Sequence, residues 1–263
     1  MLLNLYIYSG LGNIIAIVDS IREDISIDSE SVANLYQGKN INFDQLIQIL
    51  PPISPENDFD VLIYNNDGSL ASNCINGARC VFKFIEDHSL CASIELKVST
   101  DGGIWFLKAI SNEIYSASFE VSGTPEKINI NSGREDLNLD CINLGNPHGV
   151  AFQEQYPEID FIKVGKDLQN NSAFPDGVNF GFVNILNESE ISLRVYERGA
   201  GETLACGSGA CAAAIIGISN QGLIAPVKVN FQEGSLLIDY KKETNMISAE
   251  GSANFLEEKQ IEI

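Results

Sequence analysis

The stretch Glu202–Gly217, ETLACGSGACAAAIIG, places a cysteine directly before an alanine-rich run and follows that cysteine with Gly-Ser-Gly. Apolar or small side chains occupy every position from Ala210 to Ile218. A helix that lacks a polar face is normally buried on all sides. The SNQG segment that follows supplies a stop, with Gly222 as the expected C′ residue. We therefore predict a buried helix that begins directly behind Cys206.

A second stretch repeats this order of parts. Asp67–Asp87, DGSLASNCINGARCVFKFIED, contains a small polar lead-in, Cys74, a polar-glycine step at Asn76-Gly77 and an apolar run with helical spacing. The chain therefore has one long helix directly behind a cysteine in each half, which indicates an internal duplication.

Patterns of alternating or β-branched residues predict strands around both helices. In the first half they lie at Leu3–Tyr8, Ile14–Val18, Val61–Tyr64, Ile94–Ser99, Ile104–Ala109 and Ile114–Val121. In the second half they lie at Cys141–Leu144, Gly149–Phe152, Val178–Ile185, Ile191–Tyr196, Val227–Phe231, Leu236–Tyr240 and Met246–Glu250. The polar stretch VSGTPEKININSGRED at 121–136 is the expected domain linker.

The predicted fold class is α/β in the broad sense (α+β), with two pseudo-symmetric, mainly β domains, each wrapped around a central helix. We expect the domains at 1–118 and 119–251, with the segment 252–263 packing back on the first.

Composition narrows the class of protein. The chain has 263 residues, 44% of them hydrophobic, and a formal charge of −20. Nucleic acid and anionic membrane both require a basic surface, so neither is an expected partner. No Lys or Arg precedes Arg22, which argues against a secretory leader, and the longest apolar run is about half of the ~20 residues that a membrane span needs. A cytoplasmic protein is predicted.

The six cysteines are too sparse for a disulfide framework and lack the C-x2-C spacing of a zinc site. They are predicted to be free thiols, with no metal. A buried helix end carries unpaired N–H groups and a partial positive charge, which lower the pKa of a nearby thiol and can bind a carboxylate. Cys206 is therefore expected to lie where a thiolate is stabilised.

Four interpretations of the cysteines compete. Free cysteines are usually buried and inert, and this accounts for Cys80, Cys91, Cys141 and Cys211. It accounts poorly for Cys74 and Cys206, because both stand at glycine-flanked helix starts.

Two further interpretations leave part of the pattern unused. GSGACA at 207–212 matches the dinucleotide fingerprint G-x-G-x-x-A, but the predicted strand ends near Tyr196 and a polar segment intervenes. A hydrolase could pair one cysteine with His148 in the NPHG loop, but Cys74 would then have no role.

The fourth interpretation uses both thiols. Inverting a stereocentre α to a carboxylate requires an acid/base group on each face of the substrate carbon. Two helix N-termini that donate backbone N–H groups to the carboxylate would stabilise the developing enolate without PLP or a metal.

The segments NNDGSLASNCINGARC, GNPHGV, DGVNFGFV and YERGAGETLACGSGACAAA together resemble diaminopimelate epimerase, a PLP-independent enzyme family of bacterial lysine and peptidoglycan synthesis. The resemblance runs in order from GLGN near the start to the second cysteine helix. It implies a two-domain fold with an internal duplication and the interconversion of LL- and meso-diaminopimelate.

The resemblance also assigns residues. It implies that Cys74 and Cys206 are the two catalytic acid/bases and that His148 and Glu197 tune them. The substrate contacts that it implies are the side chains of Asn13, Gln45, Asn65, Asn146, Asn179, Glu197 and Arg198, and the backbones of Ile75, Asn76, Gly207 and Ser208. A distal carboxylate calls for a bidentate partner, which Arg198 can supply.

The chain departs from the family pattern at Ser9, Ile14, Leu70 and Ile75, where the family has His, Asp, Glu and Gly. Ile75 is tolerable if only its backbone N–H is used and its φ stays negative.

We therefore predict a cofactor-independent, two-cysteine epimerase with diaminopimelate as substrate and no metal. A racemase of another amino acid, a Cys206–His148 hydrolase and a weakly active binding protein remain alternatives. This prediction allows the protein to form a homodimer.

Overall fold

The computed structural model describes residues 2–23, 25–38, 41–131, 136–155 and 158–262. The chain divides into two compact units: unit 1 comprises Met1–Phe119 with Glu250–Ile263, and unit 2 comprises Glu120–Ala249. Each unit is mainly β and packs strands around one long helix. The predicted fold class is confirmed.

In chain order, the elements of the first part are β1 (Leu2–Gly10), β2 (Asn13–Asp19), α1 (Ser29–Gly38), β3 (Gln45–Leu50), β4 (Phe59–Asn65), α2 (Ile75–Asp87), β5 (Glu95–Thr100), β6 (Gly103–Ser111) and β7 (Ile114–Glu120). The elements that follow are β8 (Glu126–Asn131), β9 (Asp136–Asn143), β10 (Pro147–Phe152), α3 (Phe161–Gln169), β11 (Asn179–Asn187), β12 (Glu190–Glu197), β13 (Gly201–Thr203), α4 (Gly207–Asn220), β14 (Val227–Phe231), β15 (Gly234–Lys241), β16 (Met246–Ser252) and β17 (Asn254–Glu262).

In unit 1, three antiparallel hairpins, β1–β2, β3–β4 and β5–β6, are joined by parallel pairings between β2 and β3 and between β4 and β5. Parallel neighbours need a crossover connection, which is usually a helix. Helix α1 crosses from β2 to β3 and helix α2 from β4 to β5. The last strand, β17, pairs antiparallel with β1.

Unit 2 repeats this plan. The hairpins β9–β10, β11–β12 and β14–β15 are joined by parallel pairings between β10 and β11 and between β12 and β14. Helix α3 makes the first crossover, and the short strand β13 with helix α4 makes the second. Helices α2 and α4 therefore occupy equivalent places in the two units, so the internal duplication extends to the order of strands and crossover helices.

Helix α4 is buried as expected. In α4 every residue from Gly209 to Gly217 is buried, because its small and aliphatic side chains pack against strands on all sides. Gly222 follows the C-cap residue Gln221 with a φ of 76°, so the predicted C′ position is confirmed.

The predicted linker at 121–136 is wrong over part of its length. Glu126–Asn131 forms β8, which pairs antiparallel with β9. Ile128 and Ile130 alternate with polar neighbours and face inwards, and Ile130 is 3% exposed. Residues 132–135 of that stretch lie outside the described residues. The polar composition suggested a linker, but the alternation of isoleucine with polar residues and the pairing with β9 make this segment a strand.

Several elements were not anticipated. Strand β3 is buried at its four central positions, so it lacks an alternating pattern. The others are the short helices α1 and α3, the three-residue strand β13, and β17, whose partner β1 is remote in the sequence.

Candidate active site

Cys74 is the N-cap residue of helix α2. Its backbone is extended, with φ −148° and ψ 99°, and its Sγ accepts a hydrogen bond from the Gly77 amide at 3.1 Å. The first helical hydrogen bond runs from the Ala78 amide to the Cys74 carbonyl at 2.8 Å. A sulfur therefore does what a Ser, Asp or Asn oxygen usually does at a helix start.

Cys206 has the same position and geometry in helix α4. Its backbone is extended, with φ −136° and ψ 114°, and its Sγ accepts from the Gly209 amide at 3.4 Å. The Ala210 amide donates to the Cys206 carbonyl at 2.9 Å. The two predicted cysteines thus share one local structure, and both thiols are buried.

Glycine at the third helical position leaves room for each sulfur. A Cβ on Gly77 would lie 2.9 Å from the Cys74 sulfur and 2.5 Å from Ile47 Cδ1. A Cβ on Gly209 would lie 3.4 Å from the Cys206 sulfur and 3.2 Å from Val195 Cγ1. The spacing C-x-x-G is therefore a steric requirement at α2 and a looser one at α4.

Each cysteine leaves two amides open in the first helical turn. The third amide of each helix donates to the cysteine Sγ, and the fourth amide donates to the cysteine carbonyl. The first two amides, those of Ile75 and Asn76 in α2 and of Gly207 and Ser208 in α4, make no hydrogen bond to an acceptor in the described part of the chain. Two N–H groups at the positive end of a helix suit a carboxylate.

Cys206 also has a carboxylate beside it. Its thiol hydrogen-bonds to Glu197 at the end of β12, and the Ser208 hydroxyl lies 3.5 Å from its sulfur. Thr203 Oγ1 on β13 donates to Glu197 Oε1 at 2.5 Å and so fixes the carboxylate. The thiol and Glu197 together can accept and pass on a proton.

The expectation that Cys206 lies where a thiolate is stabilised is wrong. Burial raises the pKa of this thiol well above its ordinary value, and the negative charge of Glu197 raises it further. The hydrogen bonds from Ser208 and from the Gly209 amide lower the pKa but do not outweigh the burial. Cys206 is therefore a protonated thiol next to a carboxylate.

His148 is a neutral imidazole. It lies on β10, is 2% exposed, and its Nε2 is 2.9 Å from Asn146 Oδ1. Burial, and secondly the positive charge of Arg198, lower its pKa to about 3. Because the amide oxygen accepts the Nε2–H, the basic nitrogen is Nδ1.

Arg198 stands at the edge of an open cavity of about 580 Å³ in unit 2. Its amide donates to Asn179 Oδ1 at 3.0 Å, and its guanidinium donates to the Asp176 carbonyl at 3.2 Å. Gly177, at φ 75°, lies against the arginine stem, since a Cβ there would be 3.0 Å from Arg198 Cγ. The structure brings Asn179 and Arg198 together.

The predicted polar residues of unit 1 lie on three adjacent strands. Gln45 Nε2 donates to Asn65 Oδ1 at 3.2 Å, and Asn65 Nδ2 donates to Ser69 Oγ at 3.0 Å. Asn13 Nδ2 donates to Asp44 Oδ2 at 2.8 Å. Sequence analysis missed two supporting residues, Asp44 and Thr203, since only their contacts distinguish them.

The departures from the family pattern have different environments. Ile75 is the first residue of α2, 4% exposed, and it is not among the residues with positive φ, so the conformational cost considered for it does not arise. Leu70 is 61% exposed. Ser9 lies in β1, and the Ile14 amide donates to Asp44 Oδ2 at 2.7 Å.

Of the other four cysteines, Cys80, Cys141 and Cys211 are buried as expected. Cys91 is not: it is partly exposed, in the loop between α2 and β5.

The diaminopimelate epimerase family model matches residues 5–115 and 141–256, a range that includes both cysteine helices. The chain belongs to the diaminopimelate epimerase family. Membership of this family supports an isomerase activity.

Solved structures share the fold at low sequence identity. A phenazine biosynthesis protein of the PhzF family from Bacillus anthracis has a TM-score of 0.72, is 13% identical and is matched over 100% of both chains. A hydroxyproline epimerase from Agrobacterium vitis with bound trans-4-OH-L-proline has a TM-score of 0.70 at 12% identity, over 99% of this chain and 92% of that one. A methylitaconate-delta-isomerase has a TM-score of 0.66 at 12% identity, over 99% and 95%.

Two further observations concern the residues that the structure describes. None of their helices has the length and apolar character needed to cross a bilayer. No three of their His, Cys, Asp or Glu side chains form a group that could hold a metal ion.

Proposed function

We propose that this protein is a cofactor-independent epimerase that interconverts LL- and meso-diaminopimelate through Cys74 and Cys206. The observation that carries the proposal is the shared N-cap geometry: each cysteine stands beside two open helix amides. A thiol next to a carboxylate-binding helix end is suited to proton transfer at the α-carbon of an amino acid.

The proposed chemistry is a two-base proton exchange. In one direction, Glu197 takes the thiol proton of Cys206, and the resulting thiolate removes the α-proton from one face. Cys74 then donates its thiol proton to the opposite face, so the substrate gains one proton and loses one. Open amides at a helix N-terminus stabilise the enolate charge that develops on the substrate carboxylate.

Diaminopimelate is favoured over a simpler amino acid by Arg198 and by the asparagine set that the family pattern assigns to the substrate. A second amino-acid head carries a carboxylate and an ammonium group. Arg198 can pair with the carboxylate, while the amide oxygens of Asn65, Asn146 and Asn179 can accept from the ammonium. The reaction would then serve lysine and peptidoglycan synthesis.

Deuterium incorporation tests both the reaction and the substrate. The purified protein should exchange the α-proton of LL-diaminopimelate with D₂O and produce the meso isomer. Cys74→Ala and Cys206→Ala should each abolish net epimerisation, since every turnover uses both thiols. Cys91→Ala, which changes a thiol outside the site, is the matched control and should keep its activity.

The alternatives predict different results. Turnover of a monocarboxylic amino acid at a rate equal to that of diaminopimelate would indicate a racemase of other specificity, the alternative favoured by the changes at Ser9, Ile14 and Leu70. Epimerisation that survives Cys74→Ala would refute the two-thiol mechanism.

A further inference from the structure

Arg79 is a buried cation for which the proposed mechanism has no role. It lies on helix α2, five residues after Cys74, and its side chain is 0% exposed. Arginine is almost never fully buried unless its guanidinium is hydrogen-bonded, because desolvating the charge is costly. Its partners therefore indicate what it does.

The guanidinium is bonded to the first turn of its own helix. Nη2 donates to Asn76 Oδ1 at 2.8 Å, and Nη1 donates to the Ile75 carbonyl at 3.3 Å. Nε is 3.5 Å from the Ser252 carbonyl in β16, at the outer limit for a hydrogen bond. The two residues that it holds at the helix start, Ile75 and Asn76, are those whose amides are open.

The same turn is also packed against β1. A Cβ on Gly10, the last residue of β1, would lie 3.1 Å from the Asn76 carbonyl oxygen and 3.3 Å from Asn76 Cβ. Asn76 is 4% exposed. The turn is therefore held both by backbone packing against Gly10 and by the hydrogen bonds of the Arg79 guanidinium.

Helix α4 lacks this arrangement. The equivalent of Arg79, five residues after Cys206, is Cys211, and the equivalent of Asn76 is Ser208. The Ser208 hydroxyl lies 3.5 Å from the Cys206 sulfur, whereas the Asn76 side chain is bonded to Arg79. The two halves thus differ in what surrounds the helix start.

We propose that Arg79 is a positioning residue of the proposed epimerase: it orients the Ile75 and Asn76 amides for the substrate carboxylate and places a positive charge behind them. This inference rests on the proposed function. A charge inside the protein is poorly screened, so it favours an anion at the helix start more than a surface lysine would.

The test separates the geometry of the guanidinium from its charge. Arg79→Lys keeps the charge and loses the fork, and Asn76→Ala removes the Oδ1 partner while it keeps the backbone amide. Each should lower kcat/KM for LL-diaminopimelate by about 10- to 100-fold, the range for a hydrogen bond to a charged group. Lys83→Met on the same helix, which removes a partly buried cation paired with Asp87 about two turns from the helix start, should stay within about twofold, since it contacts neither Ile75 nor Asn76 in the described hydrogen bonds.

The double variant Arg79→Lys/Asn76→Ala gives a sharper result. If Arg79 acts through Asn76, the double variant should be no worse than the poorer single variant, because both remove one contact. Losses that multiply, or an Arg79→Lys variant with wild-type kcat/KM, would overturn the inference.

A second measurement does not depend on turnover. Iodoacetamide alkylation of Cys74 and Cys91 is followed at fixed pH by peptide mass spectrometry, with Cys91 as internal reference. Arg79→Met should slow alkylation at Cys74 several-fold relative to Cys91, and an unchanged ratio would count against Arg79. If the wild-type protein exchanges no α-proton, the proposed function fails, and this ratio still decides whether Arg79 acts on the helix start.

Discussion

Replacing Gly77 with alanine should test the N-cap geometry of Cys74 most directly. The new Cβ would lie 2.5 Å from Ile47 Cδ1 and 2.9 Å from Cys74 Sγ, both closer than real Cβ contacts. The isoleucine methyl can move, since it ends a flexible side chain. The sulfur cannot move without lengthening the hydrogen bond from the residue 77 amide, which is 3.1 Å in the structure.

The magnitude follows from two opposing contributions. Overpacking in a closed environment costs about 1–3 kcal/mol. Alanine in place of glycine inside a helix returns about 0.5–1 kcal/mol. Because two of the contacts are shorter than 3.0 Å, the overpacking cost lies in the upper half of its range, about 2–3 kcal/mol, and the net loss in the free energy of unfolding should be about 1–2.5 kcal/mol.

Gly209→Ala is the matched control in helix α4. Its Cβ would meet Cys206 Cβ and Val195 Cγ1 at 3.2 Å, so small shifts of a few tenths of an ångström accommodate it. The gain in helix propensity then offsets the crowding, and stability should change by no more than about 0.5 kcal/mol.

The assay uses the single tryptophan of the chain. Trp105 is 1% exposed, belongs to unit 1, and its Nε1 donates to Asn73 Oδ1 at 2.8 Å, next to the Cys74 cap. Urea unfolding followed by Trp105 fluorescence should show a midpoint about 0.5–1 M lower for Gly77→Ala and unchanged for Gly209→Ala. Equal midpoints for Gly77→Ala and the wild type would refute the steric argument.

Three other outcomes are expected. Arg198→Ala should raise KM for LL-diaminopimelate about 10- to 100-fold through the loss of a charge-assisted pair, while Arg194→Ala, which removes a surface ion pair with Glu202, should not; equal effects in steady-state assays would exclude Arg198 from the site. Thr203→Val should lower kcat and move the acidic limb of the pH profile of kcat/KM to higher pH, because Glu197 loses the hydrogen bond from the Thr203 hydroxyl, and Thr203→Ser should restore both. An unshifted pH profile in the valine variant would contradict a role for Thr203 in holding Glu197. The pKa of His148 is lowered to about 3, so between about pH 6.5 and 3 the unfolded chain takes up a proton that the folded chain does not, and the free energy of unfolding should fall with decreasing pH by up to about 1.4 kcal/mol per pH unit. Urea unfolding of His148→Gln should show a smaller dependence of this free energy on pH.

The local pattern of the sequence predicted the parts of the site that local chemistry decides. A cysteine followed three positions later by glycine and then by an apolar run predicts a helix start, and Cys74 and Cys206 both lie there. The stop at Gly222 and the burial of α4 follow from nearest-neighbour preferences and from side chains with no polar face.

The tertiary structure decided what depends on remote partners. Glu126–Asn131 is a strand because β9 pairs with it, and Gln45 meets Asn65 because β3 and β4 align in that register. Neither partner can be identified from composition, since strand pairing joins residues that are distant in the sequence.

The charge state of Cys206 shows the same division. Its helix-start position was predictable, and by itself that position lowers a thiol pKa. Burial within unit 2 and the carboxylate of Glu197 raise the pKa by more. The free-energy cost of removing water from a thiolate exceeds the stabilisation that the Gly209 amide and the Ser208 hydroxyl provide. The sequence determined where the thiol stands in its helix, whereas packing determined that it holds its proton.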